Sequence, residues 1–411
     1  MKTLIVVFTY KYPFAPPTEQ FLHAELPYLK QECVDIDVVP YASEIDFSNK
    51  YSTDANIKVM KRNKIADLFL GFRGIFSKEY RSERKKIKTL SSVEKGFAKS
   101  NVLKIWVQSK MFFLRMKKMF KTERLREYDK VILYSYWFNS MAISVELFKE
   151  HLQKKGICCQ SVSRAHGQGD LYIGEGINNY RPFAEVLKKL DRIFSISDDG
   201  TRFLNSQGFE NVYTRRLGVS KKQISDIEQE NKCKKIVSCS VINDNKRVLE
   251  IAKVVANIGT EKLSWIHFGG GQNQQSVQEW CQSNMPKNVE WKINGWTQND
   301  EVIEYYLVEK PDVFINLSRV EGIPVSIMEA MSCKVGCVAT DVGATREIVK
   351  DGINGKLVDK DFSIESVAVA VKEIVFSEDM QKIKESAYQT WKNEYDSEKN
   401  FSEFSKEMLN I

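Results

Sequence analysis

Short apolar runs alternate with amphipathic segments along the whole chain. An apolar run of about four to eight residues between turn residues is typical of a buried strand, and apolar positions at helical spacing indicate a helix. Repeated alternation of the two predicts α/β architecture with parallel sheets. The predicted strands are residues 3–10, 34–40, 130–137, 158–165, 192–197, 212–217, 234–240, 263–269, 289–294, 313–318, 335–340 and 356–358.

A polar stretch divides these strands into two sets. From Leu217 to Asn231 the chain has no strand-like run, so we expect two doubly wound domains, residues 1–217 and 231–387. After Asp361 the pattern is helical to the end of the chain. The predicted helices include residues 18–31, 140–154, 179–190, 246–258, 299–309 and 324–332.

Charge is distributed unevenly along the chain. The net charge is +7 over 411 residues, yet residues 58–130 alone carry 22 Lys or Arg against 7 Asp or Glu. Within this basic segment, residues 110–121 interleave apolar and cationic side chains, which suits a helix lying on an anionic membrane surface. The alternative is a solvated basic face over ordinary core contacts. No nucleic-acid module accompanies the segment, so nucleic acid is not an expected partner.

Several protein classes are not expected from this sequence. The apolar run at the N-terminus is broken by Lys11 and lacks a cleavage site, and no stretch of about eighteen apolar residues predicts a transmembrane helix. The 8 cysteines and 4 histidines show no paired spacing of a structural zinc site. We therefore expect a cytoplasmic protein with reduced cysteines and no bound metal.

The segment from Glu321 to Glu329 carries the most specific chemistry. It lies between two apolar runs and is predicted to form a turn followed by a helix, with Pro324 at the first helical position. Free N–H groups at the start of that helix would bind an anion. A carboxylate on each side suits a ligand that is part phosphate and part polyol. Two glutamates eight residues apart also occur by chance in solvated helices.

The surrounding motifs strengthen the first interpretation. The strand after the helix is followed by G-A-T-R-E-I-V at residues 343–349 and D-G-I-N-G-K-L-V at 351–358. Together with E-x7-E, these resemble the donor-binding half of the retaining glycosyltransferases of family 4. The resemblance implies a GT-B fold, with two Rossmann-like doubly wound domains facing a cleft. It also implies a C-terminal helix, about residues 388–411 with Trp391–Phe404 as its candidate core, that crosses back to the first domain.

The resemblance assigns roles in the second half. It implies that Lys246 binds the donor diphosphate and that Glu329 binds ribose and Glu321 the donor sugar. Val241 stands where the family commonly has a second cation, and the neighbouring Arg247 is the candidate substitute. The remaining predicted donor contacts are Gly322, Ile323, Pro324 and Val325 at the diphosphate, and backbone groups around Ile293 at the nucleotide base, with Trp296 as a packing residue. Gly269–Gly271 is either a plain turn or a ligand contact.

In the first half, R-A-H-G-Q-G-D-L-Y at residues 164–172 resembles a stretch of bacterial capsule-type family 4 enzymes. The resemblance implies that His166 lies near the transferred sugar and the reaction centre. Arg164 and Asp170 are interpreted as residues that simply hold the loop. Glu19 and Gln20 match an E-Q-F pattern of the same enzymes that implies acceptor binding. The alternative for Glu19 is electrostatic stabilisation of a helix N-terminus.

The function implied is metal-free, retaining transfer of a sugar from a nucleotide donor, expected to be a UDP-sugar. The expected acceptor is a hydroxyl of a saccharide or lipid-linked molecule in surface polysaccharide assembly, on the inner face of the plasma membrane. No D-x-D pair lies at a suitable strand end, which agrees with a metal-free site. Two alternatives stay open: a GT-B sugar-nucleotide epimerase, and a non-catalytic pseudo-glycosyltransferase that partners an active enzyme.

Overall fold

The chain folds into two units. The computed structural model describes residues 1–14, 19–41, 51–60, 73–171, 180–222, 233–259 and 261–411. One unit consists of Met1–Arg215 together with Phe401–Ile411, and the other is the continuous segment Arg216–Asn400. Each unit is built on one parallel sheet, so the predicted pair of doubly wound sheets is confirmed.

The first unit contains a seven-stranded sheet in the order β3-β2-β1-β4-β5-β6-β7. All six strands predicted in this half are present, and the two-residue strand β3 is additional. The strands are β1 Thr3–Thr9, β2 Val34–Pro40, β3 Asn56–Ile57, β4 Lys130–Ser135, β5 Cys159–Ala165, β6 Arg192–Ser195 and β7 Val212–Thr214. The helices described between them are α1 Gln20–Leu29, α2 Lys78–Lys86, α3 Ser92–Met119, α4 Thr122–Leu125, α5 Ser140–Gln153, α6 Gln168–Leu171, α7 Ala184–Leu187 and α8 Asp198–Ser206, with 3-10 turns at Arg73–Phe76 and Ile87–Thr89.

Helix α3 shows that several apolar residues of the basic segment belong to the core. Its start is fixed by a capping box between Ser91 and Glu94. Met111, Phe112 and Met116 are buried against the sheet. The proposed membrane helix at residues 110–121 is therefore wrong for these three side chains, because they already have protein partners. Residues 61–72 of the basic segment lie outside the described residues.

The second unit contains a six-stranded sheet in the order β10-β9-β8-β11-β12-β13. Every strand predicted in this half is present. They are β8 Lys234–Cys239, β9 Leu263–Phe268, β10 Val289–Ile293, β11 Val313–Asn316, β12 Gly336–Thr340 and β13 Gly355–Val358. The helices are α9 Val248–Ala256, α10 Gln274–Asn284, α11 Asn299–Glu309, α12 Val325–Ser332, α13 Thr345–Ile348, α14 Ile364–Val375, α15 Met380–Glu394 and α16 Ser397–Leu409.

The C-terminal helix is interrupted where the sequence predicted continuity. Helix α15 ends at Glu394 and α16 begins at Ser397, because the chain between them pairs with Val219. The Val219 N–H donates to the Tyr395 carbonyl at 3.0 Å, and the Val219 carbonyl accepts from the Ser397 N–H at 3.2 Å. Beyond Asn400 the chain belongs to the first unit. There Phe404 packs on Phe194, with ring centroids 5.0 Å apart.

Each sheet reverses its strand order at one point, between β1 and β4 in the first unit and between β8 and β11 in the second. Ligands of doubly wound folds bind beyond the carboxyl ends of the strands at such points. The loops that follow these four strands carry most of the predicted site residues. No helix in the described part of the chain is long and apolar enough to cross a membrane.

Candidate functional site

Lys246 and Glu321 form an ion pair at the switch point of the second sheet. Lys246 lies just before α9 and Glu321 in the turn between β11 and α12, and Nζ lies 2.5 Å from Oε1. The Glu321 side chain is only 11% exposed. Asn316, at the end of β11, also approaches Glu321 Oε1, with its amide nitrogen 3.4 Å away. Both predicted donor-site residues are therefore together, and Asn316 is a neighbour that the sequence reasoning missed.

The turn before α12 places amide groups beside this ion pair. Pro324 is the N-cap rather than the first helical residue, so the prediction was wrong by one position. The Pro324 carbonyl accepts a hydrogen bond from Ile327 at 3.1 Å. The N–H groups of Val325 and Ser326 lie in the first turn, where a helix offers its own amides no partner. Ile323 is buried and anchors the turn in the core.

Two of the motifs that carry the family resemblance, residues 343–349 and 351–358, have structural roles and are not themselves part of the site. Gly343 has a left-handed φ of 54°, and a side chain there would overlap the carbonyl oxygen of Glu321. The next residue, Ala344, donates to the Gly322 carbonyl at 3.1 Å. In the D-G-I-N-G turn, Asn354 accepts a hydrogen bond from the backbone amide of Lys350 and Asp351 accepts one from that of Leu357, the residues on either side of the turn. The first motif fixes the backbone that carries Glu321, whereas the second fixes its own turn.

Glu329 lies in α12, where its carboxylate is half-buried. The amide group of Asn299, at the start of α11, donates to Oε1 at 2.7 Å. Burial raises the pKa of Glu329 to about 7, and the Asn299 hydrogen bond and the Lys222 charge offset this only in part. Glu329 is thus close to half ionised near neutral pH. The role of Asn299 was missed, although its position at a helix start was visible in the sequence.

Arg247 has a structural role that the sequence did not indicate. Its guanidinium donates to three backbone carbonyls, those of Leu317, Ser318 and Lys360, and lies 4.6 Å from the Phe362 ring centroid. These contacts brace the loop after β11. The prediction that Arg247 supplies the second diphosphate cation finds no support in this arrangement.

The loops after β8, β9 and β10 are joined by backbone hydrogen bonds. Gly269 donates to the Gly295 carbonyl at 2.8 Å, and Ile242 donates to the Gly270 carbonyl at 2.9 Å. A side chain at Gly269 would overlap the Ser240 carbonyl, so the first glycine of this run is required by packing. The turn interpretation of Gly269–Gly271 therefore accounts for that residue.

Two apolar side chains project from these joined loops. Trp296 is 81% exposed and Val241 is 50% exposed. The expectation that Trp296 packs is wrong. Ile293 ends β10 and packs half-buried on the core, which leaves its backbone at the sheet edge next to Trp296.

A buried histidine beneath these loops was missed. His267 lies in β9, its Nδ1 is 2.8 Å from the Ser238 hydroxyl, and its Nε2 is 3.1 Å from the Ser240 carbonyl. Burial lowers the pKa of His267 to about 4, so the ring is neutral at neutral pH. A neutral ring with the proton on Nε2 satisfies both contacts. His267 thereby holds the end of β8 against β9.

In the first unit, His166 follows β5 and is half-buried. Its Nε2 lies 3.0 Å from the Tyr136 carbonyl, and its backbone N–H donates to Asp170 at 3.0 Å. Burial and the Arg164 charge lower the pKa of His166 to about 3. A carbonyl can only accept, so Nε2 carries the proton and Nδ1 is an acceptor. Asp170 is buried and holds the loop as predicted.

Arg164 is a core residue. Its guanidinium pairs with Glu25 of α1 at 2.6 Å, and both side chains are fully buried. It also donates to the Arg215 carbonyl at 2.8 Å and lies 4.3 Å from the Phe404 ring centroid. The prediction was that Arg164 holds the loop after β5, whereas these contacts join β5 to α1 and to the end of β7. Tyr172 of the same motif lies outside the described residues.

Glu19 does not present its carboxylate to a ligand. The side chain is 0% exposed and accepts four hydrogen bonds, from the backbone N–H groups of Tyr10, Lys11 and Tyr12 and from the indole of Trp137, at 2.5–2.9 Å. The acceptor-binding prediction for Glu19 is therefore wrong, because its carboxylate binds the preceding loop. Glu19 is the N-cap of α1 and makes no side-chain cap, so electrostatic stabilisation of this helix end stays a prediction. Gln20 begins α1, and its side chain lies outside the described part of the structure.

Among the described residues, no three or more His, Cys, Asp or Glu side chains are grouped so that they could hold a metal ion.

Comparison with known proteins places this geometry in context. Residues 220–390 match the family described as Glycosyl transferases group 1. The matched segment carries Lys246, Glu321 and Glu329. A segment of the chain is also 26% identical over 149 residues to the N-acetyl-alpha-D-glucosaminyl L-malate synthase of Bacillus anthracis, a match that covers 36% of this chain and only 37% of that protein.

Solved structures resemble the chain over its whole length. The apo form of the lipopolysaccharide outer core galactosyltransferase WaaB has a TM-score of 0.66 at 16% identity, covering 98% of this chain and 99% of that one. Anabaena Alr3699/HepE in complex with UDP has a TM-score of 0.64 at 13% identity and full coverage of both chains. At these identities the likeness establishes the fold, which is the GT-B type with two parallel-sheet α/β units.

Proposed function

We propose that this protein is a retaining glycosyltransferase that moves a sugar from a UDP-sugar to a hydroxyl group. The observation that carries the proposal is the Lys246–Glu321 ion pair beside the first turn of α12. It combines a cation, free helix amides and a carboxylate, the groups that a nucleoside diphosphate and a sugar require. The match of residues 220–390 to group 1 glycosyl transferases supports the same activity.

Each side chain has a defined task in this proposal. Lys246 and the amides of residues 322, 323 and 325 stabilise the diphosphate, Glu321 accepts hydrogen bonds from the donor sugar, and Glu329 accepts them from ribose. Backbone groups near Ile293 bind the base, and the exposed indole of Trp296 offers it a stacking surface. Since Arg247 is committed to backbone carbonyls, Lys246 is the principal cation. No metal is required, because positive charge is supplied by the protein.

The reaction exchanges two bonds at one sugar carbon. The bond from C1 to the diphosphate oxygen breaks, and a bond from C1 to the acceptor oxygen forms on the same face. The acceptor proton passes to the departing phosphate oxygen, so nucleoside diphosphate is the second product. The resemblance puts His166 near the transferred sugar and the reaction centre. Its Nδ1 is limited to accepting a hydrogen bond from a sugar hydroxyl, because Nε2–H is held by Tyr136.

We also propose that the acceptor is a saccharide, carried on lipid, in surface polysaccharide assembly at the inner face of the plasma membrane. The support is a basic surface on α2, where Lys78, Arg81 and Lys85 are exposed at helical spacing beside Phe76, which is 71% exposed. Co-sedimentation with vesicles tests this location. Triple replacement of the three cations by glutamate should abolish binding to anionic vesicles, and unchanged binding would contradict the proposal.

Incubation with a panel of nucleotide sugars and neutral acceptors, followed by measurement of nucleoside diphosphate release, tests the activity. Release with UDP-sugars and an axial-to-axial or equatorial-to-equatorial outcome by NMR is expected. Glu329→Ala should abolish release, whereas Glu290→Ala, an exposed carboxylate on β10, is the control. Conversion of the sugar without an acceptor would indicate an epimerase. UDP binding without any turnover would favour a pseudo-glycosyltransferase. Val241, which stands where the family commonly has a second cation, is the residue that suggests this alternative.

A further inference from the structure

Three half-exposed rings form a continuous strip at the carboxyl edge of the first sheet. Tyr10 follows β1, Trp137 follows β4 and His166 follows β5. The ring centroids of Tyr10 and Trp137 are 6.3 Å apart, and those of Trp137 and His166 are 4.7 Å apart. We call these residues the aromatic strip. It crosses the point where the strand order of the first sheet reverses, the usual ligand position in this type of fold.

The polar edge of each ring is fixed by a protein group. The indole N–H of Trp137 donates to Glu19 at 2.9 Å, and Nε2 of His166 is held at the Tyr136 carbonyl at 3.0 Å. The Tyr10 hydroxyl contacts the side chains of Ser140 and Asn139. Rings fixed in this way lose little conformational freedom when a ligand binds, which favours their use as a binding surface.

The strip is electrically neutral. Burial and the nearby Arg164 hold the pKa of His166 at about 3, so this ring is uncharged at neutral pH. The carboxylate of Glu19 is fully buried, and its charge is satisfied by four N–H donors. Three of those donors are successive amides of the loop after β1, the arrangement that elsewhere binds phosphate. Since Glu19 already occupies them, the amides of residues 10–12 are not available to an acceptor phosphate.

Neutral aromatic surfaces and sugar rings are chemically complementary. One face of a pyranose presents several C–H groups, whose hydrogens carry partial positive charge. An aromatic face carries partial negative charge, and stacking removes apolar surface of both partners from water. The hydroxyl groups at the edge of the sugar need donors and acceptors nearby. Nδ1 of His166 is such an acceptor.

We infer that the aromatic strip is an acceptor subsite that takes an uncharged pyranose ring, stacked on Trp137 with one hydroxyl donating to Nδ1 of His166. Glu19 is a positioning residue, because it orients the indole without reaching the sugar. The inference rests on the proposed glycosyltransferase activity and specifies its acceptor: the unit next to the reacting hydroxyl is a neutral sugar rather than a phosphorylated or acidic group.

Saturation-transfer difference NMR on the full chain with saturating UDP tests the inference. The probes are methyl α-glucoside, methyl α-galactoside and methyl N-acetyl-β-glucosaminide, compared with methyl glucuronide and glycerol 3-phosphate. We expect saturation of the neutral glycosides, concentrated on the C–H protons of one ring face. Trp137→Ala should remove it, and Trp137→Phe, which keeps a ring but loses the N–H bond to Glu19, should weaken binding about three- to tenfold.

Trp280→Ala is the matched control, since it removes a half-buried tryptophan from α10 in the other unit and should leave saturation unchanged. Stronger saturation of the anionic probes, an absence of saturation in the wild type, or equal signals for Trp137→Phe and wild type would each overturn the inference. UDP binding is measured in the same samples by calorimetry. Intact UDP binding with no glycoside signal defeats this inference alone, whereas an absence of UDP binding in the wild type defeats the proposed function.

Discussion

Ionisation of Glu329 should control how tightly the protein binds UDP. The carboxylate is half-buried in α12, and desolvation raises its pKa to about 7. In our proposal the ribose hydroxyls donate hydrogen bonds to this group, and an ionised carboxylate is the better acceptor. Binding should therefore strengthen as the pH rises through 7. The natural perturbation is pH, and the substitution that isolates the effect is Glu329→Gln.

The size of the effect follows from the pKa. With a value of about 7, about one carboxylate in ten is ionised at pH 6 and about nine in ten at pH 8. If only the ionised form binds ribose, the apparent Kd should fall about tenfold over this range, or about 1.4 kcal/mol. UDP itself titrates here, since its terminal phosphate has a pKa near 6. A variant that lacks the carboxylate is therefore needed to separate the titration of Glu329 from the titration of UDP.

Titration calorimetry at pH 6, 7 and 8 with both proteins makes that separation. Glutamine at position 329 can still accept a hydrogen bond but does not ionise. The pH dependence of UDP affinity in this variant therefore reports only the ionisation of UDP and of the other protein groups. We expect the wild-type profile to be steeper than the variant profile by about tenfold across the range. Parallel profiles would refute the reasoning, because they would show that Glu329 does not change charge when UDP binds.

Three further predictions concern the scaffold. Glu19→Gln should speed hydrogen exchange at the amides of residues 10–12 at least about tenfold, since an amide side chain turns two of the acceptor sites into donors; unchanged exchange would contradict the role of Glu19. Phe404→Ala should destabilise the first unit by about 3–5 kcal/mol, and exchange-detected denaturation should leave residues 216–400 unaffected. Gly343→Ala should weaken UDP binding, because it displaces the turn that carries Glu321. Gly352→Ala shares its left-handed strain of ~1–2 kcal/mol but meets no neighbouring atom, so it should bind UDP normally; equal losses would refute the steric explanation.

The strands were predictable because parallel strands are buried on both faces. All seven residues of β1 are buried, and such continuous apolar runs are visible in a sequence without knowledge of their partners. Strand β3 has only two residues, one exposed and one partly buried, and offers no such run. The break between α15 and α16 was not predictable either. It depends on pairing with Val219, more than 170 residues earlier in the chain.

The residue types of the candidate site were predictable from the sequence, but the hydrogen-bond and ion-pair partners of some of these residues were not. Lys246 and Glu321 are 75 residues apart, and the resemblance was enough to bring them to one site. For Arg247 and Glu19, the roles inferred with the help of the resemblance were misleading. In a sequence, a cation or a carboxylate at a helix start looks free to bind a ligand. Here each is already hydrogen-bonded to backbone groups. Only the three-dimensional positions of the Leu317 carbonyl and the Tyr10 amide reveal this.

The same distinction applies to the basic segment. Apolar residues between lysines suit both a membrane surface and a core helix, and the two differ only in what covers the apolar face. For Met111, Phe112 and Met116 the covering is the first sheet and its neighbours. Exposed cations lie on the opposite side of the same helix, such as Lys117 and Lys118, and also on α2, such as Lys78 and Arg81.

The division of the chain has a consequence for synthesis. The second unit is continuous from Arg216 to Asn400, whereas the first needs Phe401–Ile411 to complete its core. Phe404 and Met408 pack with residues of β1, β4 and β6, which are translated hundreds of residues earlier. Domains usually fold in the order in which the ribosome releases them. Here we expect the order to be inverted, because the N-terminal unit cannot complete its core until the segment after residue 400 has emerged.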